Sequence, residues 1–109
     1  MFKISILYPH RQGARFDFGY WLDVHMARSI RKLGAHPGYR SVSVERGLDA
    51  GQRAGEPAYT ALCHFEFVSE EAFLEAFLPH AAELRADVAN YTDIVPLVQT
   101  SEVLLQIGP

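Results

Sequence analysis

Residues 58–68, AYTALCHFEFV, decide the fold. Tyr59, Ala61, Cys63, Phe65 and Phe67 alternate with Thr60, Leu62, His64 and Glu66, the period of a strand whose successive side chains point to opposite faces. The first face is apolar and calls for a layer of helices. The second is too apolar for open water and too polar for a plain core, so it calls for a different cover.

The same alternation recurs upstream. In FKISILY, residues 2–8, Phe2, Ile4, Ile6 and Tyr8 face one way and Lys3, Ser5 and Leu7 the other, and Pro9 ends the strand. In YRSVSVERG, residues 39–47, Val42 and Val44 alternate with Ser41, Ser43 and Glu45. Between these strands Asp17 is a good N-cap, apolar residues recur at helical spacing, and Gly34 suits the position after a helix end, which predicts a helix over 17–33. The stretch GLDAGQRAGEP, 47–57, holds three glycines and no apolar period, and reads as a flexible surface loop.

Downstream, Ser69 can cap a second helix with Glu70 and Glu71 in its first turn, where the helix dipole favours acids. Pro79 predicts a break near Leu78 and a second helical piece over PHAAELRADV, because proline suits a first turn and not an interior. A last strand is expected over 94–105, with Pro96 marking an edge or a bulge. The order β-α-β-β-α-β is the ferredoxin-like, α+β arrangement: an antiparallel sheet with both helices on one side, in one domain over 1–109. Two such sheets facing each other in a homodimer cover the mixed faces and enclose a partly polar cavity.

The 109-residue chain has a net charge of −3, with no basic stripe for nucleic acid and no polybasic patch for a membrane surface. Its one cysteine, Cys63, permits no internal disulfide, and the short apolar run at the start does not make a signal sequence; both fit a cytoplasmic protein. There is no G-x-G-x-x-G, no phosphate-binding G-x-x-x-x-G-K-[ST], no H-x-H, no H-E-x-x-H and no cysteine pair, so neither a cofactor nor a metal is expected.

Chemistry therefore rests on rings and imidazoles. At about 100° per residue, Phe18, Leu22, Met26, Ser29 and Leu33 form the buried stripe of the first helix, Trp21 and His25 share its margin, and Tyr20 faces away. His25 there is either a hydrogen-bonded core-edge residue or a proton-transfer group. His64 lies on the mixed sheet face beside Glu66, a carboxylate able to fix its tautomer for acid–base work or simply to pair with it across an interface. His80, after Pro79, fits a helix cap as well as a ligand contact. Cys63 and His64 point to opposite faces, which excludes them as a nucleophile–base pair.

Several stretches together resemble the EthD family, small proteins named for a cluster that degrades ethyl tert-butyl ether and built on the dimeric α+β barrel fold. YWLDVHM matches a Y-[WY]-x-x-x-H pattern at Tyr20, Trp21 and His25. The ending PHAAELRADVANYTDIVPLVQTSEV matches at Pro79, His80, Glu83, Asp87, Asn90, Tyr91, Thr92, Pro96, Gln99, Ser101 and Glu102. Ala27 and Ala89 stand where proline is usual. The resemblance implies a protein that acts on or binds a small hydrophobic organic compound in catabolism or secondary metabolism, either reductase-like or a cofactor-independent acid–base enzyme. On that reading His25 donates or accepts a proton, Tyr8 and Trp21 wall the site, His64 with Glu66 forms a second polar pole, and Asn90 with Tyr91 bonds ligand at the mouth. The other reading is a non-catalytic accessory protein that delivers a compound to a neighbouring oxidase system.

Overall fold

The computed structural model describes residues 1–48 and 55–108, so most of the expected loop over 47–57 lies outside the described residues. Strands β1 (Phe2–Pro9), β2 (Tyr39–Arg46), β3 (Tyr59–Phe67) and β4 (Leu97–Glu102) form a sheet of order β2-β3-β1-β4, antiparallel at each pairing. Helix α1 spans 18–33, α2 is Glu70–Phe77 and α3 is Ala81–Asp87. A 3-10 turn, Leu78–His80, carries the break at Pro79, and another, Val88–Asn90, follows α3. The architecture is the ferredoxin-like α+β fold read from the strand faces. The last strand is shorter than 94–105, and β4 is an edge strand exposed along its whole length.

Ile4, Ala61, Cys63, Phe65 and Phe67 are buried beneath the helices, as the alternation requires. Both expected caps form: the Asp17 carboxylate accepts from the Tyr20 amide at 3.0 Å, and the Ser69 hydroxyl accepts from the Ala72 amide at 3.1 Å.

Helix α1 departs from its expected period. After one α turn, Phe18–Tyr20, residues Trp21–Met26 form a π segment, and α-helix resumes over Ala27–Leu33. The wider turn, with bonds from i to i+5, rotates the side chains relative to a 3.6-residue repeat. Trp21 moves from the margin into the core at 1% exposure, whereas Leu22, assigned to the buried stripe by a regular helix, is 49% exposed. His25 and Met26 both turn inward. Tyr20 does not face away: its hydroxyl reaches back to Asp87.

A clamp holds the segment after α3 against the start of α1. The Asp17 amide donates to the Tyr91 carbonyl at 2.7 Å, the Thr92 hydroxyl donates to the Arg15 carbonyl at 2.6 Å, and Phe16 bridges Thr92. Around it Tyr8, Phe16, Trp21 and Tyr91 pack edge to face, with Phe16–Trp21 at 5.1 Å and Tyr8–Phe16 at 5.2 Å between ring centroids. The clamp sets Asp87 and Tyr91 beside the π segment.

Candidate active site

Between the sheet and the helices lies a cavity of about 330 Å³, a size suited to a small organic molecule. Its walls are mostly apolar: Ile4, Ile6 and Phe65 from the sheet, Met26 and Leu33 from α1, and Phe73, Phe77 and Leu84 from α2 and α3. Its polar groups are few, notably His25, Tyr8, Ser29 and, in α3, Arg85, whose guanidinium lies 5.6 Å over the Phe77 ring.

His25 is 8% exposed and its Nδ1 lies 2.9 Å from Oδ2 of Asp87. Asp87, itself buried, also accepts from the Tyr20 hydroxyl at 2.6 Å and from Asn90 Nδ2 at 2.9 Å, with Arg28 Nη1 3.9 Å away. Burial opposes its ionisation, but the bonds from Tyr20, Asn90 and His25 outweigh burial and draw its pKa down to about 2. The carboxylate therefore stays charged and acceptor-only, which requires His25 to carry a proton on Nδ1. Burial lowers the His25 pKa despite the neighbouring carboxylate, so at neutral pH the ring is neutral with a lone pair on Nε2. Among the described residues no side chain bonds Nε2, and His25 lines the cavity. A neutral imidazole, oriented by a buried carboxylate and facing an apolar space, is the arrangement of a general base.

Tyr91 lies behind this pair. Its ring is 4.7 Å from that of His25, and its hydroxyl is 2.6 Å from that of Tyr8. Burial raises Tyr8 to about 12 and raises Tyr91 further, so both phenols keep their protons. Burial likewise pushes the Cys63 thiol to about 12, which makes it an inert part of the wall.

The cavity thus gathers His25 and Tyr8 from the residues the sequence singled out, with Tyr91 and Trp21 in the layer behind. Asn90 is exposed and bonds Asp87, a support for the carboxylate. His80, in the 3-10 turn before α3, is outside the cavity lining. His64 and Glu66 lie on the far face of the sheet and do not pair with each other. His64 Nδ1 is 2.6 Å from the Ser5 hydroxyl and its Nε2 is 3.7 Å from Glu45. Glu66 takes Gln106 at 3.2 Å and Lys3 at 3.7 Å instead. Residues i and i+2 on one strand point the same way, but directly opposed residues are closer: β1 sets Ser5 opposite His64 and Lys3 opposite Glu66, while Glu45 of β2 reaches His64 diagonally and Gln106 comes from beyond β4.

The sequence marks Asp87 only among the matches to the family pattern, with no role in the site. A further signal is present: Ala81 and Leu84 of α3, with Val88 just beyond it, mark an inward stripe, and Asp87 sits at the margin of that stripe, where a carboxylate needs a partner.

No family model matches the chain, and no curated protein is significantly similar to it. Among solved structures, an EthD-like protein of Ralstonia eutropha shares 40% identity over 97% of this chain and 94% of its own, with a TM-score of 0.87. The chain belongs to the EthD family. An EthD family protein of Bacillus halodurans superposes with a TM-score of 0.68 at 20% identity, covering 95% of this chain and 99% of that one. SnoaB, a cofactor-independent oxygenase of Streptomyces nogalater, superposes with a TM-score of 0.60 at 15% identity, covering 99% and 96% of the two chains. These two share the fold with this EthD chain. No helix among its described residues is long and apolar enough to cross a membrane.

Proposed function

We propose that this EthD-family protein binds a small, mainly apolar organic molecule between sheet and helices and uses His25 as a proton acceptor. The observation that carries the reading is the 2.9 Å contact of His25 Nδ1 with a buried, ionised Asp87 at the wall of an apolar cavity. Asp87 fixes the ring and its tautomer, Tyr20 and Asn90 fix Asp87, and the mostly apolar walls favour an apolar molecule beside the ring. Acid–base chemistry without a resident cofactor suits a member of a fold that includes a cofactor-independent oxygenase. A reducing, cytoplasmic setting suits its single buried thiol.

The protein is further proposed to work as a homodimer. Leu97 and Val98 on the edge strand and Leu104, Leu105 and Ile107 beyond it are all more than half exposed, a run of apolar surface that asks for cover. Ser5 and Glu66, polar yet buried on the far face, belong to the same side of the sheet as His64.

Nitrogen-15 NMR of the imidazoles tests the site directly, with 1-naphthol as an apolar hydroxyl donor. His25 is expected to show the Nδ1–H tautomer at neutral pH, and naphthol is expected to shift the Nε2 resonance and raise the melting temperature. An Nε2–H tautomer, or equal naphthol stabilisation in His25→Ala, would overturn the proposal.

A further inference from the structure

Three buried hydrogen-bond donors, the hydroxyls of Tyr8 and Tyr91 and the indole N–H of Trp21, belong to rings packed together at and behind the cavity wall. The two hydroxyl oxygens are 2.6 Å apart, so one proton lies between them and the second is left over. Tyr91 is fully buried and outside the cavity lining, whereas Tyr8 lines the cavity. The Trp21 indole packs edge-on against the Tyr8 ring at 5.9 Å between centroids, and among the described residues its buried N–H has no hydrogen-bond partner. Among the described residues the buried Tyr91 hydroxyl has Tyr8 as its one partner, so Tyr91 is taken as the donor and the Tyr8 oxygen as the acceptor. The Tyr8 proton is then left without an acceptor among the described residues, and because Tyr8 lines the cavity a bound molecule can supply one.

Resting on the reading of His25 as a base, we infer that the ligand is an enolisable carbonyl compound whose oxygen accepts from the Tyr8 hydroxyl while its α-carbon faces His25. Tyr91 touches both residues, through its hydroxyl to Tyr8 and its ring to His25, so donor and base flank one small region of the wall. His25 Nε2 removes the α-proton, the C–H electron pair becomes the carbon–carbon double bond, and the carbonyl π pair moves to oxygen. There the charge is met by the Tyr8 O–H, backed by Tyr91, and the His25 imidazolium, its Nε2 proton exchanged with solvent, returns a proton to the α-carbon and restores the ketone. A donor aimed at the developing enolate stabilises the transition state more than the ketone.

The probe is 2-tetralone, a bicyclic enolisable ketone, with tetralin as its oxygen-free counterpart. Proton NMR in D2O follows deuterium entry at the α-carbons, and calorimetry gives both affinities. The native protein is expected to bind the ketone at least about tenfold more tightly than the hydrocarbon, a margin that one good hydrogen bond supplies. In Tyr8→Phe that preference should vanish and exchange should fall by about 10- to 100-fold, while tetralin still binds and so reports an intact cavity. Equal affinities for the two probes in the native protein, or unchanged exchange in Tyr8→Phe with tetralin binding retained, would overturn the inference. In the second case, exchange that still depends on His25 would leave the base assignment standing. Exchange that survives His25→Ala would overturn both, as would a native protein that binds neither probe. A Tyr8→Phe protein that no longer binds tetralin moves the decision to the carbonyl stretch of bound 2-tetralone in the native protein. A downshift relative to the ketone in hydrocarbon supports the bond, and its absence overturns it.

Discussion

Asp87 Oδ2 accepts a hydrogen bond from the His25 Nδ1–H at 2.9 Å, which leaves the Nε2 lone pair free on a residue that lines the cavity. The two residues are 62 positions apart and come together because the Asp17–Tyr91 and Thr92–Arg15 bonds clamp the end of the second helical region onto the start of α1. In Asp87→Asn the amide can present either an oxygen or an NH2 to the ring, and the tautomer is no longer fixed. Deuterium exchange of 2-tetralone is expected to fall on the order of 10²-fold or more, with tetralin affinity retained. Steady-state exchange rates and calorimetry check both halves.

The site sets the acid response. The His25 pKa is below its ordinary 6.5 in the folded protein, so protonation favours unfolding: stability is full above about 6.5 and declines as pH falls through the folded value. Asp87, drawn down to about 2 from 3.8, adds a second loss at lower pH, present above the ordinary carboxylate range and gone as pH nears 2. Denaturant unfolding at a series of pH values should show the first decline in the native protein and a flatter profile in His25→Ala.

The π segment makes a prediction opposite to a regular helix. Leu22→Gln, at a half-exposed position, should change stability by no more than about 0.5 kcal/mol. Trp21→Ala, in the core, should cost about 3–5 kcal/mol. Thermal and denaturant melts of the two variants decide between the helical periods.

Much of this was legible in the sequence. Alternation in FKISILY and YTALCHFEF gives strands with one dry face, Asp17 and Ser69 act as caps, and Pro79 breaks the second helix, because each of these signals is local. The widened turn at Trp21–Met26 has no comparable local mark, so a 3.6-residue period misplaced Leu22, Trp21 and Tyr20. His25 stood out as an imidazole at the edge of an apolar stripe, but its partner lay in a distant helix and only the chain clamp brings it near. The neighbour of His64 was misjudged for a related reason: Ser5 faces it across the sheet at 2.6 Å, closer than Glu66 along its own strand.

The uncovered apolar run at β4 and beyond predicts the assembly state. Analytical ultracentrifugation of the native protein should give a dimer at micromolar concentration. Leu105→Asp with Ile107→Asp, both surface positions, should shift it toward monomer without lowering helix content.

The central claim is that His25 Nε2 removes a proton from a molecule held in the cavity. Proton NMR of deuterium entry into 2-tetralone, with native protein beside His25→Ala, tests it most directly. The native protein should accelerate exchange by about 10²- to 10⁴-fold over buffer, and His25→Ala should bind the ketone yet fall to within a few-fold of buffer. Equal acceleration by the two proteins would contradict it.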